Sequence, residues 1–153
     1  MELTLLNKII LIFLATVTPI SELRGGIPMA ISLGFNPILA YFSIVVLNIL
    51  LFFPVTILLK FFHKKYLSKC DLYQRYISHI RNRGKPFVDR YGMLGLALFV
   101  AIPLPASGVY SGTILSWLIG MSWQKSFLSI SLGAAFAGLI VLFLSLPLAQ
   151  FIW

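Results

Sequence analysis

The chain has 153 residues, of which 59% are hydrophobic and 10% charged. Soluble domains carry about 25% charged residues, so this composition excludes an ordinary soluble protein and points to a single integral membrane domain, residues 1–153. The net charge is +8, and nine of the twelve Lys and Arg lie between Lys60 and Arg90. That clustering fits a cytoplasmic loop under the positive-inside rule, with contact to membrane lipids, and no nucleic-acid motif accompanies it.

Only helices and closed barrels satisfy their backbones in lipid. Long apolar runs such as Ile38 to Leu59 favour helices, and the alternating segments of a barrel are absent. Residues 3–35 are apolar but broken by Pro19, Gly25, Gly26 and Pro28. The run starting at Leu3 resembles a signal peptide with Lys8, but it lacks a small-residue cleavage site and Glu22 follows soon; it reads as retained. Pro37 to Leu59 is an unbroken span, with Asn36 as its cap.

Residues 60–90 follow. Leu72, Tyr73, Tyr76, Ile77 and Ile80 share one helical face, opposite Arg75, His79 and Arg83. Asp71 is placed to cap this helix, and Gly84 with Pro86 to end it. A basic amphipathic helix suits the cytoplasmic leaflet or a cover packed on the bundle. Residues 91–121 are again apolar and broken, here by Pro103, Pro105, Gly108 and Gly112. Trp123 to Leu146 is the second span, capped at Ser122 and closed by Pro147. Within it Gly133, Ala134, Ala137 and Gly138 give small-xxx-small spacings, which suit close packing inside the bundle or in a homodimer.

Cut at its breakers, each interrupted segment gives two arms mostly too short to cross, so both read as re-entrant hairpins. The other reading of the first has Leu3 to Pro19 crossing fully. Each half is then a hairpin plus one spanning helix: repeat 1 over 3–60, a cytoplasmic amphipathic segment over 61–90, and repeat 2 over 91–147. A half that crosses once inverts the next, so the expected fold is an all-α membrane protein of two inverted repeats with both termini outside.

The charges inside the first hairpin are the candidate site. An ionised residue in the membrane centre costs roughly 2.5–3.5 kcal/mol and is functional by default. Glu22 is the candidate for ion coupling, by proton exchange or as a sodium ligand; a poorly solvated carboxyl readily takes its neutral form. Arg24 offers a planar fork for phosphate or carboxylate, and backbone freed at Gly25, Gly26 and Pro28 offers further donors. A Glu22–Arg24 ion pair closing the hairpin is the structural alternative. The second break supplies Ser107, Tyr110, Ser111 and Thr113 as substrate-facing hydroxyls, or small residues for packing. Asp89 and Arg90 stand where an entrance or gate would lie. Cys70 is alone, and His63 and His79 lack partner ligands, so no metal site or cofactor is expected beyond a coupling proton or sodium ion. Ser107 has no histidine in the apolar segments to act as its base, so catalysis is not expected.

The stretches "SELRGGIPMAISLGFNP" and "FVAIPLPASGVYSGT" resemble the signature regions of the small multidrug export protein family. The architecture is also similar to the DedA/VTT superfamily, whose members have two opposed re-entrant hairpins and handle lipids, including polyprenyl-phosphate carriers. That likeness gives Glu22 the role of an acid in the first DedA hairpin. It departs at the second region, where DedA arginines have no counterpart: no base lies between Arg90 and Lys125. The expected function is an ion-coupled transporter or flippase with a midplane site and an anionic lipid phosphate as favoured cargo. The alternative cargo is a lipophilic drug or other small amphiphile, and a membrane scaffold is a third reading.

Overall fold

The computed structural model describes residues 4–62, 71–102 and 107–150; His63, Cys70, Pro103 and Pro105 lie outside them. The described residues are all-helical, without a strand. Helix α1 (Leu5–Val17) stops because Pro19 forces the residue before it out of the helical region: Thr18 is extended, with φ −70° and ψ 134°. A tight turn over 18–21 leads into α2 (Glu22–Ser32).

The first break therefore lies at Thr18–Ser21 and not at the glycines. Helix α2 runs through Gly25, Gly26 and Pro28, correcting the reading of Pro28 as a hairpin breaker. In apolar surroundings an unwound backbone has no water to bond, so glycine and proline are tolerated inside helices. Packing adds to this. Leu23, Ile27 and Ile31 are buried, and Gly26 lies so close to Thr16 of α1 that a Cβ would overlap the threonine hydroxyl.

Asn36 caps α3 (Pro37–Leu50) as its sequence suggests: its Oδ1 accepts the N–H groups of Ile38 at 2.9 Å and Leu39 at 3.3 Å. The expected unbroken span is interrupted at Leu51 and resumes as α4 (Phe52–Phe62). Pro54 lacks an N–H, and its ring crowds the carbonyl of Leu50 four residues earlier. Pro37–Phe61 taken together is still 25 residues, long and apolar enough to cross a bilayer.

Helix α5 (Asp71–Tyr91) continues through Gly84 and Pro86, which do not end it. Its apolar stripe of Ile77, Ile80 and Val88 is buried, while Arg75, His79 and Arg83 are exposed. The side chains of Asp71, Leu72 and Tyr73 lie outside the described residues. This stripe packs on α6 (Met93–Ala101) and α7 (Val109–Ile119), so α5 covers the bundle. Gly95 makes the fit with α6: a Cβ there would overlap the Phe87 carbonyl of α5.

Helix α7 contains Gly112, which is no breaker; it packs on Val100 and Ile130. Helix α8 (Trp123–Gln150) likewise passes through Pro147, and its Trp123–Pro147 stretch is the second segment able to cross a bilayer. Its small residues are used within the chain. Gly133 faces Ala97 and Val100 of α6, and Gly138 faces Tyr41 and Val45 of α3.

Candidate functional site

Four helix ends meet where the two breaks come together: the last turn of α1, the start of α2, the end of α6 and the start of α7. Helix ends leave backbone groups unpaired, and in apolar surroundings those groups need partners from the protein. The residues of each break supply them to the other.

Glu22 opens α2 and is 3% exposed. Its carboxylate accepts the N–H of Val109 at 3.2 Å and of Tyr110 at 3.3 Å, the first two residues of α7. A carboxylate there satisfies two orphan donors and meets the positive end of the helix dipole, about 1–2 kcal/mol when partly buried. Gly108 makes the approach possible. Its φ of 125° suits glycine, and a Cβ there would overlap the Glu22 carboxylate. Glu22 itself has φ 47°, the left-handed region, which costs a residue with a side chain about 1–2 kcal/mol. Such strain persists only where the surroundings over-determine it, and it concentrates at functional sites.

Arg24, one residue pair further along α2, reaches in the same direction. Its Nη2 donates to the Ser107 hydroxyl at 2.7 Å, to the Ser107 carbonyl at 3.1 Å and to the Ile102 carbonyl at 3.3 Å. Ile102 ends α6 in an extended conformation, as the residue before Pro103 should. The Ser107 hydroxyl in turn donates to the Ile102 carbonyl at 2.6 Å. In exchange, the Tyr110 hydroxyl donates to the Val17 carbonyl in the last turn of α1. The Ser21 hydroxyl donates to the Ala15 carbonyl and bonds Thr18 Oγ1 at 2.8 Å, fastening the first turn.

Beside this junction is a cavity of about 440 Å³, walled by Ile20, Glu22, Arg24, Tyr76, Ser107 and Tyr110 among others. That volume is within the range of small-molecule sites, about 300–1,000 Å³. Glu22 and Arg24 of the first segment thus meet Tyr110 and Ser107 of the second.

Other candidates fall elsewhere. Gly25 packs over Ser21, and Gly26 over Thr16 and Ile44, so neither lines the cavity. Ser111 is buried behind it, its hydroxyl 3.3 Å from that of Tyr76. Thr113 donates to the Val109 carbonyl at 2.6 Å inside its own helix. Asp89 is exposed and pairs with Lys85 at 3.9 Å, and Arg90 lies 5.4 Å over the Tyr91 ring. Neither borders the cavity among the described residues. Sequence reasoning missed Tyr76 and the α7 N–H groups. The available signal for Tyr76 was its hydroxyl on the apolar face of an amphipathic helix.

No curated protein and no solved structure matches the chain. A family match covers residues 22–140, from the strained glutamate through most of the second long helix. On that match the chain belongs to the family described as "Putative small multi-drug export protein".

Proposed function

We propose that the protein is an ion-coupled membrane exporter of small amphiphiles carrying a cationic group, with Glu22 as the residue that holds either the cargo or the coupling proton. The observation that carries this reading is the buried Glu22 carboxylate on the wall of the cavity. Tyr76 and Tyr110 stand on the same wall, and aromatic faces beside a carboxylate suit an organic cation.

An anionic lipid cargo is less well served. It would need Arg24 and the α7 N-terminus, and both are engaged by the protein itself. The family description also speaks of drug export rather than of lipids.

In this scheme α1–α2 and α6–α7 are re-entrant hairpins, each followed by a spanning unit, α3–α4 or α8. Their arms of 13, 11, 9 and 11 residues support this, since a crossing helix needs about 20. The ionised Glu22 holds the two hairpins together through the start of α7. A proton or a cationic cargo on that carboxylate weakens the charge-assisted bonds and frees the junction to rearrange. Because one group serves both ligands, proton entry and cargo exit exclude each other, which is the logic of an exchanger.

The test is flux of a fluorescent lipophilic cation such as ethidium in proteoliposomes, with and without an imposed pH gradient. Native protein should export it faster under the gradient, and Glu22→Gln should lose that dependence. Equal gradient-driven flux in Glu22→Gln would remove Glu22 from the coupling role.

A further inference from the structure

Buried hydroxyls in this bundle mostly bond the carbonyl one turn earlier, as Thr16, Thr113, Ser126 and Ser145 do. Asn48 behaves differently. It is 0% exposed, and neither its Oδ1 nor its Nδ2 has a hydrogen-bond partner among the described residues. Leaving a buried polar group unpaired costs roughly 1–3 kcal/mol, so such a group calls for a function or a ligand.

Its surroundings point to the ligand. Helices α3–α4 and α8 run antiparallel: Tyr41 donates to the Ala135 carbonyl and touches Gly138, while the tilted rings of Phe52 and Phe127 lie 5.5 Å apart. That register sets Asn48 opposite Ser131. Ser131 shares a helical face with Phe127 and Ala135, so it faces α3, and its Oγ is also buried without a partner among the described residues. Ser129, the other such hydroxyl, lies on the face that Gly133 turns to α6, and is not part of this place. Asn48 sits in the last turn of α3, just before the interruption at Leu51. There the dipole's negative end gathers.

We infer that Asn48 and Ser131, at the negative end of α3, form a binding site for a sodium-sized monovalent cation. Neutral oxygens at the C-terminal end of a broken membrane helix are a known way to coordinate Na⁺. With no carboxylate among these groups, a single charge is matched and a divalent ion is not. Asn48 Oδ1 coordinates the ion, and Nδ2 donates to a water that the ion carries in. The place is separate from the Glu22 cavity, whose walls do not include Asn48. Its use as a coupling site rests on the transport function proposed above; binding of the ion does not.

The test reads binding alone. Native protein in nonionic micelles is melted in NaCl and in choline chloride at equal ionic strength. Sodium should raise the midpoint saturably, by about 3 °C at ten times the dissociation constant. Asn48→Leu should lose the sodium response while remaining at least as stable in choline, and Ser131→Ala should need more sodium for the same shift. Glu22→Gln should keep the full response. Should Asn48→Leu fail to fold, Ser131→Ala and equilibrium binding of radioactive sodium to native protein carry the test. Equal midpoints in sodium and choline would overturn the inference. So would an unchanged response in Asn48→Leu or Ser131→Ala, or its loss in Glu22→Gln, which would place the ion at the glutamate.

Discussion

Glu22 carries three costs at once: a left-handed backbone, burial of a carboxylate, and dependence on a glycine across the junction. Gly108→Ala attacks the last two together. The new methyl group overlaps the carboxylate, and alanine resists the φ of 125°. Melting in micelles should show a loss of about 1–3 kcal/mol. Glu22→Ala in the same background should relieve part of it, because the overlap disappears. A penalty untouched by Glu22→Ala would mean that backbone strain alone sets the cost. Arg24→Ala should lose a similar amount, about 1–3 kcal/mol, since the Ile102 and Ser107 carbonyls lose their charged donor. An unchanged melting temperature would show those carbonyls to be satisfied otherwise. The two charges were legible in the sequence because they stand in an apolar segment, where a charge is expensive. That each caps the opposite break was not legible. The partners are 78 or more residues away, and nothing local to α2 specifies them.

At the scale of elements, the signals that held were those acting through covalent geometry. Pro19 fixes the residue before it as extended and ends α1, Ile102 is likewise extended where α6 ends, and Asn36 caps α3 from its own side chain. Gly26, Gly84 and Gly112 instead sit inside helices, because tertiary packing uses them for close approach, and Gly25 packs over Ser21 at the start of its own helix. Propensity alone cannot separate a glycine that breaks a helix from one that lets another helix touch it. Gly95 is the sharpest case. In Gly95→Ala the added Cβ meets the Phe87 carbonyl, a backbone atom that no rotamer change can move. Helices α5 and α6 must then separate, at a cost of about 1–3 kcal/mol as for other overpacking changes. Protease cleavage at the exposed arginines of α5 in the micelle-bound protein should become faster. Unchanged cleavage and melting would show that α5 is held by α7 alone, through contacts such as Gly84 on Leu115.

For the whole molecule, the proposed architecture makes a claim about parity that can be tested without any assay of transport. If both short-armed pairs are re-entrant, each half crosses the membrane once, and the two termini share a side. The basic density between Lys60 and Arg90 then places that stretch in the cytoplasm and the termini outside. Single cysteines at positions 2, 75 and 153, in a Cys70→Ser background, report on this directly. Position 75 is a suitable probe because Arg75 is exposed on the outer face of α5. A membrane-impermeant maleimide applied to intact cells should label positions 2 and 153 and spare 75 until the cells are opened. Labelling of 75 alone would keep the parity and reverse the orientation. Labelling of only one terminus would break the parity itself. One helix pair would then cross an additional time, the short arms would have to span together with their neighbours, and the inverted repeat would be lost along with the hairpins.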